Sequence, residues 1–516
     1  MKLDRVKNAK RNIVFGIINK IITLSLPFVV RMVVIREIGA EYLGLGSLFT
    51  SILQVLNITE LGFSSAVVYS MYKPIADDDN ETLCAILRFY KKVYFTIGVI
   101  IGILGLILLP FLQKLIKGSV PEDINIYILY LIYLLSTVIS YLLFAYKNSL
   151  ISAYQREDVL SNINTIVHAI IYIAQFFFIV VTKNYYYYAL TLLIGAFIQN
   201  IVTEIVSRKL FPHILCKGCL SSEIKQDIKI KVKGLLINKL CAVSRNSFDS
   251  IFVSAFLGLT QTAIYNNYYY IMNSVIICLG VISSSILAGV GNSIVTESQQ
   301  KNYADMKKFN FIYMLLGGWC TIFLLCLYQP FIKLVFGSEM LFPFPVVILF
   351  CLYFYVLKMG DIRATYSEAR GLWWENRYRA IIEAVANLVL NFVLGKFFGI
   401  YGIVIATLIS LFFVNFLWGS SIIFKHYFTE IKMYEYYIQH LLYAFITAII
   451  CGITFFICSK VNINGFWGLL LKFIICTLVP LPFYFVFYYK FPLFNISKEW
   501  ILERIVKNKK RGMEKN

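Results

Sequence analysis

The stretch Gly234-Leu-Leu-Ile-Asn-Lys-Leu-Cys-Ala-Val-Ser-Arg-Asn-Ser-Phe-Asp-Ser-Ile-Phe-Val-Ser-Ala-Phe-Leu-Gly258 is apolar over most of its length. At a rise of about 1.5 Å per residue it can cross the ~30 Å hydrocarbon core of a bilayer. Yet Lys239, Arg245 and Asp249 lie in its interior. A charge at the centre of a spanning helix costs about 2.5–3.5 kcal/mol, so such charges face a wet cavity or a partner. At about 100° per residue, Asn238, Arg245 and Asp249 fall within ~40° of one another. Lys239, Asn246 and Ser250 repeat that spacing on the neighbouring stripe. This predicts a helix with one polar and one lipid-like side, beside a cavity with a positive lining.

The rest of the chain has the same character. A mean hydropathy of +0.73 with 59% hydrophobic residues excludes a soluble globular protein. Apolar runs long enough to span recur from end to end, which predicts an all-α polytopic membrane protein. A membrane β-barrel would instead alternate apolar and polar residues in segments of about ten. Hydropathy places about fourteen spans near 12–35, 43–70, 93–110, 124–146, 160–181, 185–207, 234–257, 262–290, 309–328, 342–360, 380–398, 401–424, 439–458 and 465–489. The basic start, Met1 to Arg11, leads into an apolar run without a small-residue cleavage site, so it reads as a retained first helix.

The net charge of +20 is a topology signal rather than a nucleic-acid signal. With the N-terminus in the cytoplasm, 36 of the 48 Lys and Arg fall on the cytoplasmic side, 7 outside and 5 within spans. Cytoplasmic loops accumulate positive charge, so both termini are expected inside. The connections are too short to fold as separate domains.

An internal repeat divides the chain. A shift of 219 residues lays Ile18-Asn19-Lys20 over Ile237-Asn238-Lys239, Ser25 over Ser244, Val34 over Val253 and Gly39 over Gly258. Gly44 and Ala263 then coincide as small residues beyond the turn. Six helices per half is an even number, so the halves point the same way, a transporter plan with the site between them near the midplane. The expected organisation is an N-lobe over 1–207, a basic linker over 208–233 and a C-lobe over 234–424. Helices 13 and 14 would occupy 425–489, and a basic tail 490–516.

Lys20 and Arg31 are eleven residues apart in the first helix, hence on one face and about 16 Å apart. Arg31 can instead snorkel to the interface. Pro27 on the same stripe frees a carbonyl and permits a bend useful to a gate. Arg245 and Asp249 are an i,i+4 pair that can serve as a purely structural ion pair. Glu60 is a candidate counter-ion or proton site for coupling. Four basic residues against one acidic in helices 1 and 7 favour an anion, and phosphate suits the bidentate donors of Arg and the point charge of Lys.

Hydrolase and phosphate-loop signatures are absent. His213-x-x-Cys216-x-x-Cys219 offers three candidate ligands, too few for a tetrahedral structural zinc site, and no metal or cofactor is expected. The tyrosines at 185–188 and 268–270 read as an aromatic belt, with stacking on sugar rings as the alternative. The tail reads either as an amphipathic surface helix, with Trp500, Ile501 and Ile505 inward, or as a solvated charged segment.

Three stretches carry a family resemblance. They are Ile38-Gly39-x-x-Tyr42-x-Gly44 with Glu60-Leu61-Gly62; Ser244-Arg245-Asn246-x-x-Asp249 with Leu257-Gly258 and Tyr265; and Asn387-x-x-x-Asn391, Lys396-x-Phe398-Gly399-Ile400-x-Gly402 and Ala406-Thr407-x-x-Ser410. In these the chain resembles the polysaccharide exporters of the multidrug/oligosaccharidyl-lipid/polysaccharide flippase superfamily, which includes O-antigen and capsule-unit flippases. The resemblance implies two six-helix lobes around a V-shaped cationic cavity, in a bacterial cytoplasmic membrane. The lobes would turn an undecaprenyl-diphosphate-linked oligosaccharide from the cytoplasmic to the outer leaflet by alternating access. It implies Arg245 and Asp249 as cavity residues. Lys20, Arg31, Asn238 and Lys239 rest on the charge argument. Polysaccharide polymerase machinery is the implied protein partner, and the coupling ion is H+ or Na+ or neither. The competing readings are a cation-coupled multidrug exporter, which would need carboxylates in the cavity, and a membrane polymerase or glycosyltransferase, which would need a large external loop.

Overall fold

The computed structural model describes residues 5–57, 63–226, 228, 247–500 and 503, and among them the chain is built of helices joined by short turns, without a strand. It packs as two compact units, Met1–Asn266 and Asn267–Asn516. Ten of the helices are long and apolar enough to cross a membrane, or eleven if the bent pair Ile126–Leu142 and Lys147–Ala153 is one span. Two shorter apolar helices, Ala40–Leu56 and Ser247–Leu257, accompany them.

In the first unit α1 (Arg5–Glu37) is followed by α2 (Ala40–Leu56), α3 (Phe63–Ala76), α4 (Asn80–Leu108), α5 (Ile126–Leu142), α6 (Lys147–Ala153), α7 (Glu157–Thr182) and α8 (Tyr185–Leu210). The unit then takes in α9 (Ser247–Leu257) and the start of α10 (Leu259–Thr296). Polar side chains set the starts of several helices. Asp79 caps α4 by accepting from the Thr82 amide at 2.9 Å; the Thr82 hydroxyl and then that amide hold its carboxyl below the usual carboxylate range. Asn125 caps α5 and Asn184 caps α8 in the same way. α1 lies along α7, where Asn19 Nδ2 donates to the Ser161 carbonyl at 3.3 Å and to Thr165 Oγ1 at 3.1 Å. The helix continues through Pro27.

α4 starts at Asn80, well before the expected 93. The hydropathy window stops at the charges Arg88, Lys91 and Lys92, but the stretch is amphipathic and buries Leu83, Ile86, Leu87 and Tyr90. α5 breaks at Leu143 and resumes as α6, bent by 54°.

The second unit contains most of α10, then α11 (Gln299–Phe336), α12 (Phe344–Met359), α13 (Asp361–Ala369) and α14 (Arg377–Ile409). A π-helical segment, Ser410–Trp418, leads into α15 (Gly419–His426), followed by α16 (Met433–Ser459), α17 (Gly465–Leu478) and α18 (Pro480–Tyr488). α11 runs 38 residues, about 57 Å, so it outlasts the expected 309–328 span at both ends.

The stretch Arg377–His426 has 50 residues, too many for one crossing. It turns back at Gly399, whose φ of 57° leaves the helix. Asn387 Nδ2 then reaches Thr407 Oγ1 at 3.0 Å, although twenty residues of straight helix would span about 30 Å. The two expected spans 380–398 and 401–424 are therefore the arms of one hairpin. Beyond α18 the chain turns over 489–491 and is helical again from 492 to 500, where the Trp500 ring packs edge-on against Phe309 at 5.6 Å. That is the inward placement of Trp500; Ile501 and Ile505 lie outside the described residues.

Candidate functional site

The first unit builds its polar interior on two corners. At the α1–α2 corner the chain turns at Gly39, whose amide donates to the Val34 carbonyl at 3.0 Å. At the α9–α10 corner it turns at Gly258, whose amide donates to the Ser254 carbonyl at 3.2 Å. The φ angles are 125° and 92°, in the left-handed region that favours glycine. Val34 and Val253, equivalent under the 219-residue shift, are both fully buried. The two positions share a left-handed glycine and a buried valine, while the closing bond runs five residues back at Gly39 and four back at Gly258. Thr260 Oγ1 reaches Glu41 Oε1 at 3.5 Å, joining the two equivalent positions directly.

Arg31 is half-buried on α1, about 9 Å before the end of that helix. Its guanidinium interacts electrostatically with the phenols of Tyr133, Tyr185 and Tyr188. Those rings form a cluster: Tyr133 and Tyr185 share a hydroxyl–hydroxyl bond of 3.0 Å, and Tyr188 stacks on Tyr185 at 4.9 Å. Gly46 makes room for them, since a Cβ there would lie 2.4 Å from the Tyr185 hydroxyl and 2.7 Å from that of Tyr133. Lys20, on the same face of α1, is exposed. A lysine exposed inside an apolar span meets water or headgroups, since hydrocarbon would cost it several kcal/mol, roughly 3 on insertion scales.

At the second corner Asp249 is fully buried and accepts from the Tyr265 hydroxyl at 3.0 Å. One residue on, Ser250 accepts from Asn266 Nδ2 at 2.9 Å, and Ser247 Oγ donates to Gln54 Oε1 at 3.2 Å. The structure brings Lys20, Arg31 and Asp249 into this unit, with Lys20 and Arg31 on one stripe. Glu60, Asn238, Lys239 and Arg245 lie outside the described residues.

Several features escaped the sequence reading. The run at 185–188 divides: Tyr185 is buried inward, while Tyr187 is exposed as a belt residue should be. The i,i+3 spacing of Tyr185 and Tyr188 is the signal that puts them on one face. In the second unit, Lys358, Arg363 and Arg379, counted among loop charges, are buried. Lys358 pairs with Asp361 at 2.7 Å, and Tyr313 donates to the same carboxylate at 2.5 Å. Arg379 pairs with Glu383 at 2.7 Å, and Asn415 Nδ2 donates to the same oxygen at 2.9 Å. Arg363 Nη2 donates to the Asn415 carbonyl at 3.0 Å, a group within the π-helical segment.

The loop ligands do not gather. Cys216 Sγ donates to the Tyr146 hydroxyl at 3.5 Å, Cys219 is exposed, and it is the backbone carbonyl of His213 that meets Cys84.

Comparison with known proteins agrees with this architecture. The family described as polysaccharide biosynthesis protein matches residues 9–287. The fold is similar to an inward-facing multidrug resistance MATE family transporter of the MOP superfamily, with a TM-score of 0.64 at 14% identity over 80% of this chain and 97% of that one. It is similar to the lipid II flippase MurJ in an inward closed conformation, with a TM-score of 0.62 at 16% identity over 92% of this chain and 99% of that one. An outward-facing MATE family transporter gives 0.54 at 13% identity over 80% and 95%. No curated protein sequence matches the chain. With the matched region extending over more than half of the sequence and the whole helical plan shared with flippases and exporters, this chain belongs to the polysaccharide biosynthesis protein family and has the fold of the MOP superfamily.

Proposed function

We propose that this protein is a flippase that moves an undecaprenyl-diphosphate-linked oligosaccharide repeat unit from the cytoplasmic to the outer leaflet for cell-surface polysaccharide synthesis. The observation that carries the reading is the cationic stripe of α1, where exposed Lys20 and half-buried Arg31 share one face. A diphosphate is the ligand chemistry for such a stripe: Arg offers a planar fork and Lys a compact charge. Of the three tyrosines, Tyr133 and Tyr185 are buried and pair with each other, and half-buried Tyr188 offers the ring edge and hydroxyl suited to a sugar. The family match supports the pathway, and the likeness to MurJ, named as a lipid II flippase, supports a lipid-linked cargo.

Alternation between states requires that the cargo or a coupling ion bind the two states unequally. Lys239, the repeat equivalent of Lys20, is proposed to act with it from the second copy, together with Arg245, Asn238 and Asp249; Glu60 and Pro27 are proposed for coupling and gating. Cells carrying Lys20→Ala, Arg31→Ala or the Lys20→Ala/Lys239→Ala double change should keep normal amounts of protein in the membrane. They should lose surface glycan and accumulate the lipid-linked unit in the cytoplasmic leaflet. Normal surface polymer from the double variant would refute the cavity assignment. Lost polymer without accumulated lipid-linked unit would point instead to a polymerase or transferase step.

A further inference from the structure

Among the described residues one group of side chains outside the polar corners has metal-ligand geometry. Cys326 of α11, Cys458 of α16 and Cys476 of α17 place their three sulfurs within 4.8 Å of one another. All three are free thiols and buried, at 4%, 3% and 0% exposure. The Cys458 and Cys476 sulfurs are 3.9 Å apart. A buried cysteine is ordinarily a small hydrophobe, and most of the eleven here fit that role. Three converging from three helices, 132 and 18 residues apart in sequence, are a different arrangement.

We infer that Cys326, Cys458 and Cys476 form a trigonal thiolate site for a soft monovalent ion, Cu(I) in biological chemistry. With metal–sulfur bonds of about 2.3 Å, a trigonal site separates its sulfurs by about 4.0 Å. The Cys458–Cys476 pair already meets that separation at 3.9 Å, and the upper bound of 4.8 Å leaves less than 1 Å to close. Thiolates select soft ions. Zn2+ prefers four ligands, and no fourth His, Cys, Asp or Glu donor joins the group among the described residues.

The ligands stand on rigid elements, which favours a defined site over an adaptable one. α11 and α17 are further tied by Trp319 Nε1, which donates to the Cys476 carbonyl at 2.9 Å. Each thiol that coordinates as a thiolate releases one proton to water, and the metal keeps its oxidation state. Three thiolates around one Cu(I) leave two negative charges. The Lys472 ammonium, one helical turn from Cys476 and in electrostatic contact with Cys458, offsets part of that charge. A bound ion would staple the α16–α17 hairpin to α11. This inference is independent of the transport reading.

The test uses the full chain purified in detergent, reduced, freed of reductant and titrated anaerobically with Cu(I) delivered as its acetonitrile complex. The wild type should retain one copper per chain through desalting against a chelator. X-ray absorption should show three sulfur neighbours near 2.3 Å, and the melting temperature should rise on loading. Cys326→Ala, Cys458→Ala and Cys476→Ala, each monodisperse by size exclusion, should bind more weakly by over the ~10–100-fold that loss of a supporting contact costs. Cys219→Ser and Cys351→Ala should bind as the wild type does. Reduced wild type that retains no copper overturns the inference whatever the variants do, as does retention unchanged in all three alanine variants. A Cys458–Cys476 disulfide in the isolated protein, with no copper taken up after reduction, overturns it in favour of a redox cross-link.

Discussion

The corners at Gly39 and Gly258 both turn on a left-handed glycine, 219 residues apart, and their interiors are filled differently. Each has a glycine of positive φ, a buried valine five residues earlier and a helix starting at the next residue. At equivalent depth the first copy has Val30 and Arg31, where the second has Asp249 and Ser250. The first copy has Gly46 where the second has Tyr265. In the second copy that tyrosine hydroxyl satisfies the buried Asp249 carboxylate. In the first, the missing side chain leaves the space taken by Tyr133 and Tyr185 beside Arg31. Both turns place a glycine at positive φ, whereas the side chains two turns before it differ in charge. At that depth the first copy has Arg31, and the second has Asp249 bonded to Tyr265.

The comparison can be broken most forcefully at the second glycine. In Gly258→Ala a Cβ would sit 2.8 Å from the Lys117 carbonyl oxygen on a left-handed backbone. Strain and overpacking together should cost about 3 kcal/mol, read as a fall in thermal midpoint in detergent. Tyr265→Phe should cost about 2 kcal/mol by the same measurement, because it strips a hydrogen bond from the fully buried Asp249. A neutral Tyr265→Phe would mean that the carboxylate is served elsewhere.

In Gly39→Ala a Cβ would meet the Tyr42 ring at 3.8 Å, an ordinary van der Waals contact, so only the backbone resists. Its cost should be about 1–2 kcal/mol, smaller than at Gly258. Equal losses at the two glycines would show that packing plays no part in the difference. The smallest effect is expected at the link between the corners. Thr260→Val removes one exposed 3.5 Å contact to Glu41 and should change stability by about 0.5 kcal/mol or less. A loss above about 2 kcal/mol there would make the link a structural joint.

How far the sequence could be read depended on the range of the interaction. Spans were legible because a bilayer demands about twenty apolar residues in a row, a local property. The hairpin at Gly399 was legible for the same reason, since two apolar runs flank a glycine. The start of α4 was not, because its first turns bury a stripe rather than a run. Nor was the burial of Lys358, Arg363 and Arg379. A hydropathy window registers their charge but not Asp361, Glu383 and the Asn415 carbonyl that satisfy it.

By itself the sequence determined the helical membrane architecture, the identities at a shift of 219 and the stripe that carries Lys20 and Arg31. Each follows from residue spacing along one helix or from comparing the chain with itself. Only the tertiary structure decided which tyrosines lie within electrostatic range of Arg31, that Tyr265 closes on Asp249, and that Cys326, Cys458 and Cys476 meet. Those contacts join side chains of separate helices, and where two helices touch is set by how their surfaces pack.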